Sequence, residues 1–223
     1  GFRSVLGVAI IPPYETYIPY EVYIAPGLIA MIQLFNGMQS SLSMVYDREM
    51  GSMKTMLVSP IPRWFLLCSK LFAGVFVSIL QVYAFLLIAS FWDIIPPVSG
   101  YFTILPALII SGLMLGALGM FLSSAIKQLE NFAGVMNFVI FPMFFASSAL
   151  YPLWKIEETS EWLYLVCFYN PFTYAVESIR FSLYSQINFE CSAGIIIFTL
   201  IFLFLSIMGY DPSRGNLQKK GGK

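Results

Sequence analysis

Few residues in this chain are of a type that can do covalent chemistry. Its 223 residues include no histidine, and the three cysteines, Cys68, Cys167 and Cys191, are widely separated. Imidazole-based zinc sites, Ser-His triads and histidine proton relays are therefore excluded. Three scattered cysteines make no disulfide framework. A single bridge between Cys167 and Cys191 stays open as an alternative to plain packing. No G-x-x-x-x-G-K-[ST] run occurs anywhere in the chain, so it has no phosphate-cradling loop of that kind. Neither a catalytic, cofactor-binding or metal-ligating set nor any cofactor is expected.

What polar chemistry remains is hydrogen bonding and charge. Gln33, Asn36, Ser40 and Ser43 follow one another at i, i+3, i+7 and i+10, one face of a helix. Gln81 and Asn137 sit alone inside other apolar runs. The stretch from Met44 to Lys70, "MVYDREMGSMKTMLVSPIPRWFLLCSK", gathers Asp47, Arg48, Glu49, Lys54, Arg63 and Lys70, although the chain is only 11% charged. Met50, Met53, Met56 and Leu57 share one helical face there, and Pro60 and Pro62 stop the helix. A short amphipathic helix at a membrane surface is the expectation, either resting in the headgroups or docking a partner.

The elements that must position these groups follow from composition. Hydrophobic residues make up 58% of the chain and aromatic ones 17%, well above soluble domains. The net charge of zero gives no reason to expect nucleic acid as a partner. A spanning helix needs about 20 mostly apolar residues. Five runs qualify, at 23–45, 66–91, 101–123, 131–150 and 192–208. They are continuous rather than alternating, so the expected fold class is all-α, a polytopic membrane helix bundle. None carries a charged residue at mid-span, the usual mark of an ion-coupling site or a membrane-embedded carboxylate pair. Gly112-x-x-x-Gly116 offers a small face for close helix contact.

Nine of the twelve Lys and Arg residues fall in 46–65, at Lys70, at Lys127 and in 211–223. That side is the cytoplasm by the positive-inside rule. Only Arg3, Lys155 and Arg180 lie on the other side, with eight acidic residues. The chain starts at Gly1 rather than Met, and five spans would leave 1–22 outside. A missing N-terminal sixth span is expected, which would return both ends to the cytoplasm. Residues 211–223 then form a cytoplasmic tail. Within an exterior helical hairpin expected at 151–190, residues 156–187 are too polar to span and too apolar for a free loop; two short helices dipping into the outer leaflet are expected, with Pro171 breaking the run and Glu177 pairing with Arg180.

Two blocks of this sequence resemble the ABC type-2 exporter permeases. "YDREMGSMKTMLVSPIPRWFLLCSK" is similar to that family's charged connection at Asp47, Arg48, Glu49, Gly51, Ser59, Pro60 and Lys70, with Ser52 where Thr is usual. "FPMFFASSALYPLWKIEETSEWLYLVCFYNPFTYAVESIRFSLY" resembles its exterior segment at Tyr151, Pro152, Asn170, Pro171, Thr173, Tyr174 and Arg180, with Ser148-Ala149 where Gly is frequent. The resemblance implies a permease subunit in a cell membrane, most simply the bacterial inner membrane. It is implied to pair with a second permease and with separate ATP-binding-cassette ATPases. Asp47, Arg48, Glu49, Gly51, Lys54, Ser59, Pro60 and Arg63 are then the ATPase-coupling residues. Gln33, Asn36, Ser40, Ser43 and Asn137 would wall a translocation path or dimer seam, the alternative being interhelical hydrogen bonds. Tyr151, Pro152, Asn170, Pro171, Thr173, Tyr174, Glu177 and Arg180 would form an exterior lid or a structural cap. A non-transporting scaffold with a cytoplasmic docking helix is the other reading of the same residues.

Overall fold

A computed structural model describes residues 12–14, 18–50, 63–92, 96–126 and 129–209. Those residues form helices and turns, with no strand among them: α1 Tyr20–Glu49, α2 Arg63–Ser90, α3 Gly100–Ala125, α4 Leu129–Phe145, α5 Leu153–Thr159, α6 Glu161–Phe168, α7 Pro171–Leu183 and α8 Phe189–Gly209. Helix is what an apolar chain must adopt where no water can pair its peptide groups. By length and composition, α1, α2, α3 and α8 can each cross a membrane.

The fourth expected span is shorter than the sequence reading gave. α4 has 17 residues, about 25 Å at 1.5 Å each, and ends at Phe145 rather than Leu150. Ser147 and Ser148 interrupt it: the Ser147 hydroxyl donates back to the Phe144 carbonyl (2.6 Å) and accepts from the Ala149 N–H (3.2 Å). The turn at 146–150 is apolar in composition because it is buried in protein, which is where irregular backbone at membrane depth is tolerated.

The exterior segment is also different from expectation. It holds three helices rather than two, and Pro171 opens one instead of only ending one. Asn170 caps α7 by accepting from the Phe172 N–H at 3.0 Å, with Pro171 at the first helical position. α7 buries Phe172, Ala175, Val176, Ile179 and Leu183, an i, i+3, i+4 stripe. It closes with Ser185 in the left-handed region (φ 58°) and the Gln186 N–H on the Phe181 carbonyl (3.0 Å).

α3 is the central element, packed on α1, α8, α7 and α2. Small residues permit this, as the Gly112–Gly116 spacing suggested. A Cβ on Gly37 of α1 would stand 2.9 Å from the Gly116 Cα, and one on Gly119 would stand 2.7 Å from the Gly37 carbonyl oxygen. The α1–α3 crossing is thus glycine on glycine, a close approach that favours dispersion between backbones where the hydrophobic effect offers little.

Candidate functional site

The predicted polar stripe on α1 serves two different neighbours. Gln33 is buried and turns to α3: its amide donates to the Leu108 carbonyl (2.7 Å) and accepts from the Ser111 hydroxyl (2.6 Å). Asn36 turns to α2, donating to the Gln81 side-chain oxygen at 2.7 Å. About two to three turns of helix further along α1, Lys70 of α2 donates to the Ser43 hydroxyl (3.4 Å) and pairs with Asp47. Ser40 lies against Gly74, where a Cβ would meet its hydroxyl at 2.9 Å. Positions 36, 43 and 47 therefore make a polar ladder that joins α1 to α2 from mid-span to the edge of the charged connection. A shallow cleft follows this line, with Gln33, Ser40, Ser41, Lys70, Gly74 and Ser78 on its walls.

Substituting Gln33 tests how much of this ladder is structural. Ser111 would keep its second acceptor, the Ala107 carbonyl at 2.6 Å, so Gln33→Leu strands no buried donor. A loss of about 1 kcal/mol is expected in thermal unfolding of the detergent-solubilised protein, in line with hydrogen bonds between spanning helices.

Of the expected coupling residues, Asp47 is placed as above. Arg48 and Glu49 close α1 and Arg63 opens α2. Gly51, Lys54, Ser59 and Pro60 lie outside the described residues, as does the rest of the amphipathic helix expected after Met50. Asn137 is not part of the ladder; it is exposed on α4 with no partner among the described residues.

The exterior residues converge on the turn at 146–150. Asn170, besides capping α7, donates to the Met143 (2.8 Å) and Ala146 (2.5 Å) carbonyls at the end of α4. Arg180 is buried, paired with Glu177 as its spacing predicted, and donates to the Ser148 carbonyl (2.9 Å). The Tyr23 hydroxyl donates to that same carbonyl (2.9 Å), and its ring centroid lies 4.2 Å from the guanidinium carbon. Tyr14 and Tyr184 complete the enclosure, with ring centroids 5.0 Å apart. Burial opposes the charge on Arg180, but the Glu177 carboxylate, with Tyr23 and Tyr14 beside it, outweighs that and raises its pKa above the usual guanidinium value.

Thr173 donates to the Cys167 carbonyl (2.6 Å), and Tyr174 packs on Phe198 of α8. Pro152 is buried ahead of α5, and Tyr151 is exposed. All three cysteines are free, which closes the Cys167–Cys191 alternative. Among the described residues there is no cluster of metal-ligating side chains.

Sequence reasoning missed Tyr14, Tyr23, Tyr184, Ser148 and Gly37. Their signals are weak singly: tyrosines near the start of a span, and a glycine within one. What finds them is the partner each meets far along the chain.

A family model described as ABC-2 type transporter matches residues 5–184. A putative transport permease, ycf38, of Cyanophora paradoxa is 28% identical over 190 residues, 84% of this chain and 63% of that protein. The ycf38 of Porphyra purpurea is 29% identical over 79% of this chain and 60% of its own length. A probable multidrug ABC transporter permease, YbhR, of Escherichia coli K12 is 30% identical over 71% of this chain and 42% of that protein. The chain thus spans about three fifths or less of these relatives' length. No solved structure matches it.

Proposed function

The chain belongs to the ABC-2 type transporter family, and from that premise we propose that it is the membrane permease subunit of an ATP-driven exporter. Two copies would sit in a cell membrane, most simply a bacterial inner membrane, each served by a separate ATP-binding-cassette ATPase. The ATP-binding site would lie outside these 223 residues, which hold no phosphate-cradling run.

The ladder from Asn36–Gln81 to Asp47–Lys70 carries this reading. The 46–65 connection hangs from the ends of α1 and α2, and the ladder binds those ends together. ATP-driven closure of the ATPases would push on the connection, and α1 and α2 would tilt as one lever. The glycine crossing would pass the tilt from α1 to α3, giving alternating access with no fuel site in the pore itself. At the far end, the exterior residues from Tyr151 to Arg180 would cap the exit.

The test is the double substitution Arg48→Ala with Glu49→Ala, co-expressed with a candidate ATP-binding-cassette ATPase. Charge pairs at an interface cost about 2–5 kcal/mol when truncated, so association of the ATPase is expected to weaken on the order of tenfold or more. Membrane insertion of the permease should be unchanged. Full ATPase binding and stimulation in the double variant would remove the docking role. Specific capture of a non-ATPase partner would favour a scaffold instead.

A further inference from the structure

Buried serines in this chain mostly satisfy themselves: Ser41, Ser78 and Ser147 each donate to a carbonyl three or four residues back. Five buried side-chain polar atoms lack a partner among the described residues, and three of them lie together at the exterior end: Arg180 Nε, the Tyr14 hydroxyl and the Ser148 hydroxyl. Arg180, Tyr14 and Ser148 are 4%, 6% and 0% exposed, so bulk water does not reach these groups. The guanidinium's terminal nitrogens go to Glu177 and to the Ser148 carbonyl, which leaves the Nε–H over. Ser148 meets Arg180 through its carbonyl, Tyr23 lies against the guanidinium, and the Tyr14 ring centroid stands 6.4 Å from that of Tyr23. Burial raises the pKa of the Tyr14 phenol, and the charge of nearby Arg180 acts against that rise. Buried polar groups are normally hydrogen-bonded, so three unmet ones in one enclosure call for a shared partner.

We infer that the Arg180 enclosure binds a water molecule, which accepts from the Arg180 Nε–H and hydrogen-bonds to the Tyr14 and Ser148 hydroxyls. The donor set selects water over an ion. Arg180 and Glu177 already balance each other, so an anion would add an uncompensated buried charge, and a cation would face the guanidinium. Water is neutral, accepts from the N–H and still has two hydrogens for the two hydroxyl oxygens. It also spans groups too far apart for a direct bond, up to about 5–6 Å. The molecule joins three stretches far apart in sequence: the segment before α1, the turn after α4, and α7. The exterior helices are thereby held to the approach of α1 through a partner that can leave and return, so this joint can part and re-form without stranding a polar group.

X-ray radiolytic labelling of the detergent-solubilised full chain tests it, because hydroxyl radicals born at a bound water oxidise the ring beside it. Tyr14 and Tyr23 are expected to take up oxygen although both are buried, while Phe132, equally enclosed, takes up none. Ser148→Ala should lower the label on both tyrosines severalfold and leave exposed Tyr151 unchanged. No label on Tyr14 and Tyr23 while Tyr151 reacts overturns the inference, as does a label that Ser148→Ala does not alter. Thermal unfolding gives an independent reading. Tyr14→Phe and Ser148→Ala should each lower the midpoint by about 2–4 °C. Together they should lower it by little more than the larger single effect, because each releases the same water. A rise in either variant would mean that a dry, unpaired hydroxyl had been removed, and fully additive losses would mean that the two hydroxyls share no partner; either result overturns the inference. None of these readings involves an ATPase, so loss of coupling and loss of this water are told apart.

Discussion

Arg180→Met is expected to be the most damaging single substitution at the exterior end, lowering stability by about 3–5 kcal/mol. Arg180 is 4% exposed and its partner Glu177 16%. Methionine removes the guanidinium that lies against the Tyr23 ring and leaves the largely buried Glu177 carboxylate without its cation. The Ser148 carbonyl also loses one of its two side-chain donors. The companion variant decides the cause. Arg180→Met with Glu177→Leu removes both charges, and most of the loss should return, because a buried pair costs much to break and little to replace whole. Thermal unfolding of the two variants in detergent measures this. Equal destabilisation in both would mean that the guanidinium matters through packing on Tyr23, and the uncompensated charge would drop out of the account.

The Arg180 enclosure also marks where the sequence could be read and where it could not. The spans were legible because their signal is additive: about twenty apolar residues in a row mean helix wherever peptide groups have no water to pair with. The Glu177–Arg180 pair was legible because both ends lie on one turn of helix. The turn at 146–150 was not. Its alanines and leucine are apolar because protein covers them, so composition extended α4 through it. What stops the helix is Ser147 bonding to its own turn and Asn170 reaching back 24 residues to the Ala146 carbonyl. α7 was visible in principle, in the spacing of Phe172, Ala175, Val176, Ile179 and Leu183. Reading 156–187 as one mixed segment averaged that stripe away.

The candidate site shows the same division. Four polar residues on one face of α1 were correctly placed on a helix, but spacing alone cannot say which neighbour each one meets. Gln33 bonds to α3 and Asn36 to α2, three residues apart, because the two neighbouring helices flank the stripe.

Glycine substitutions are expected to separate the packed face of one helix from the open face of another. Gly37→Leu should lower stability by more than the ~1–3 kcal/mol usual for overpacking. The first added atom alone would stand 2.9 Å from the Gly116 Cα and 3.0 Å from the Gly116 nitrogen and the Leu115 carbonyl oxygen. These are backbone atoms of a continuous helix, so no rotamer change relieves the collision and α1 must move away from α3. The Gln33 bonds to Leu108 and Ser111 lie one turn away and would lengthen with it. Even Gly37→Ala should destabilise, although alanine favours an unpacked helix over glycine by about 0.8–1 kcal/mol. Gly134→Ala should show the opposite sign in the solubilised single chain, because nothing there opposes the propensity gain. If Gly37→Ala proves as stabilising as Gly134→Ala, then α1 and α3 do not approach through their glycines, and the lever from the charged connection to α3 has no rigid joint.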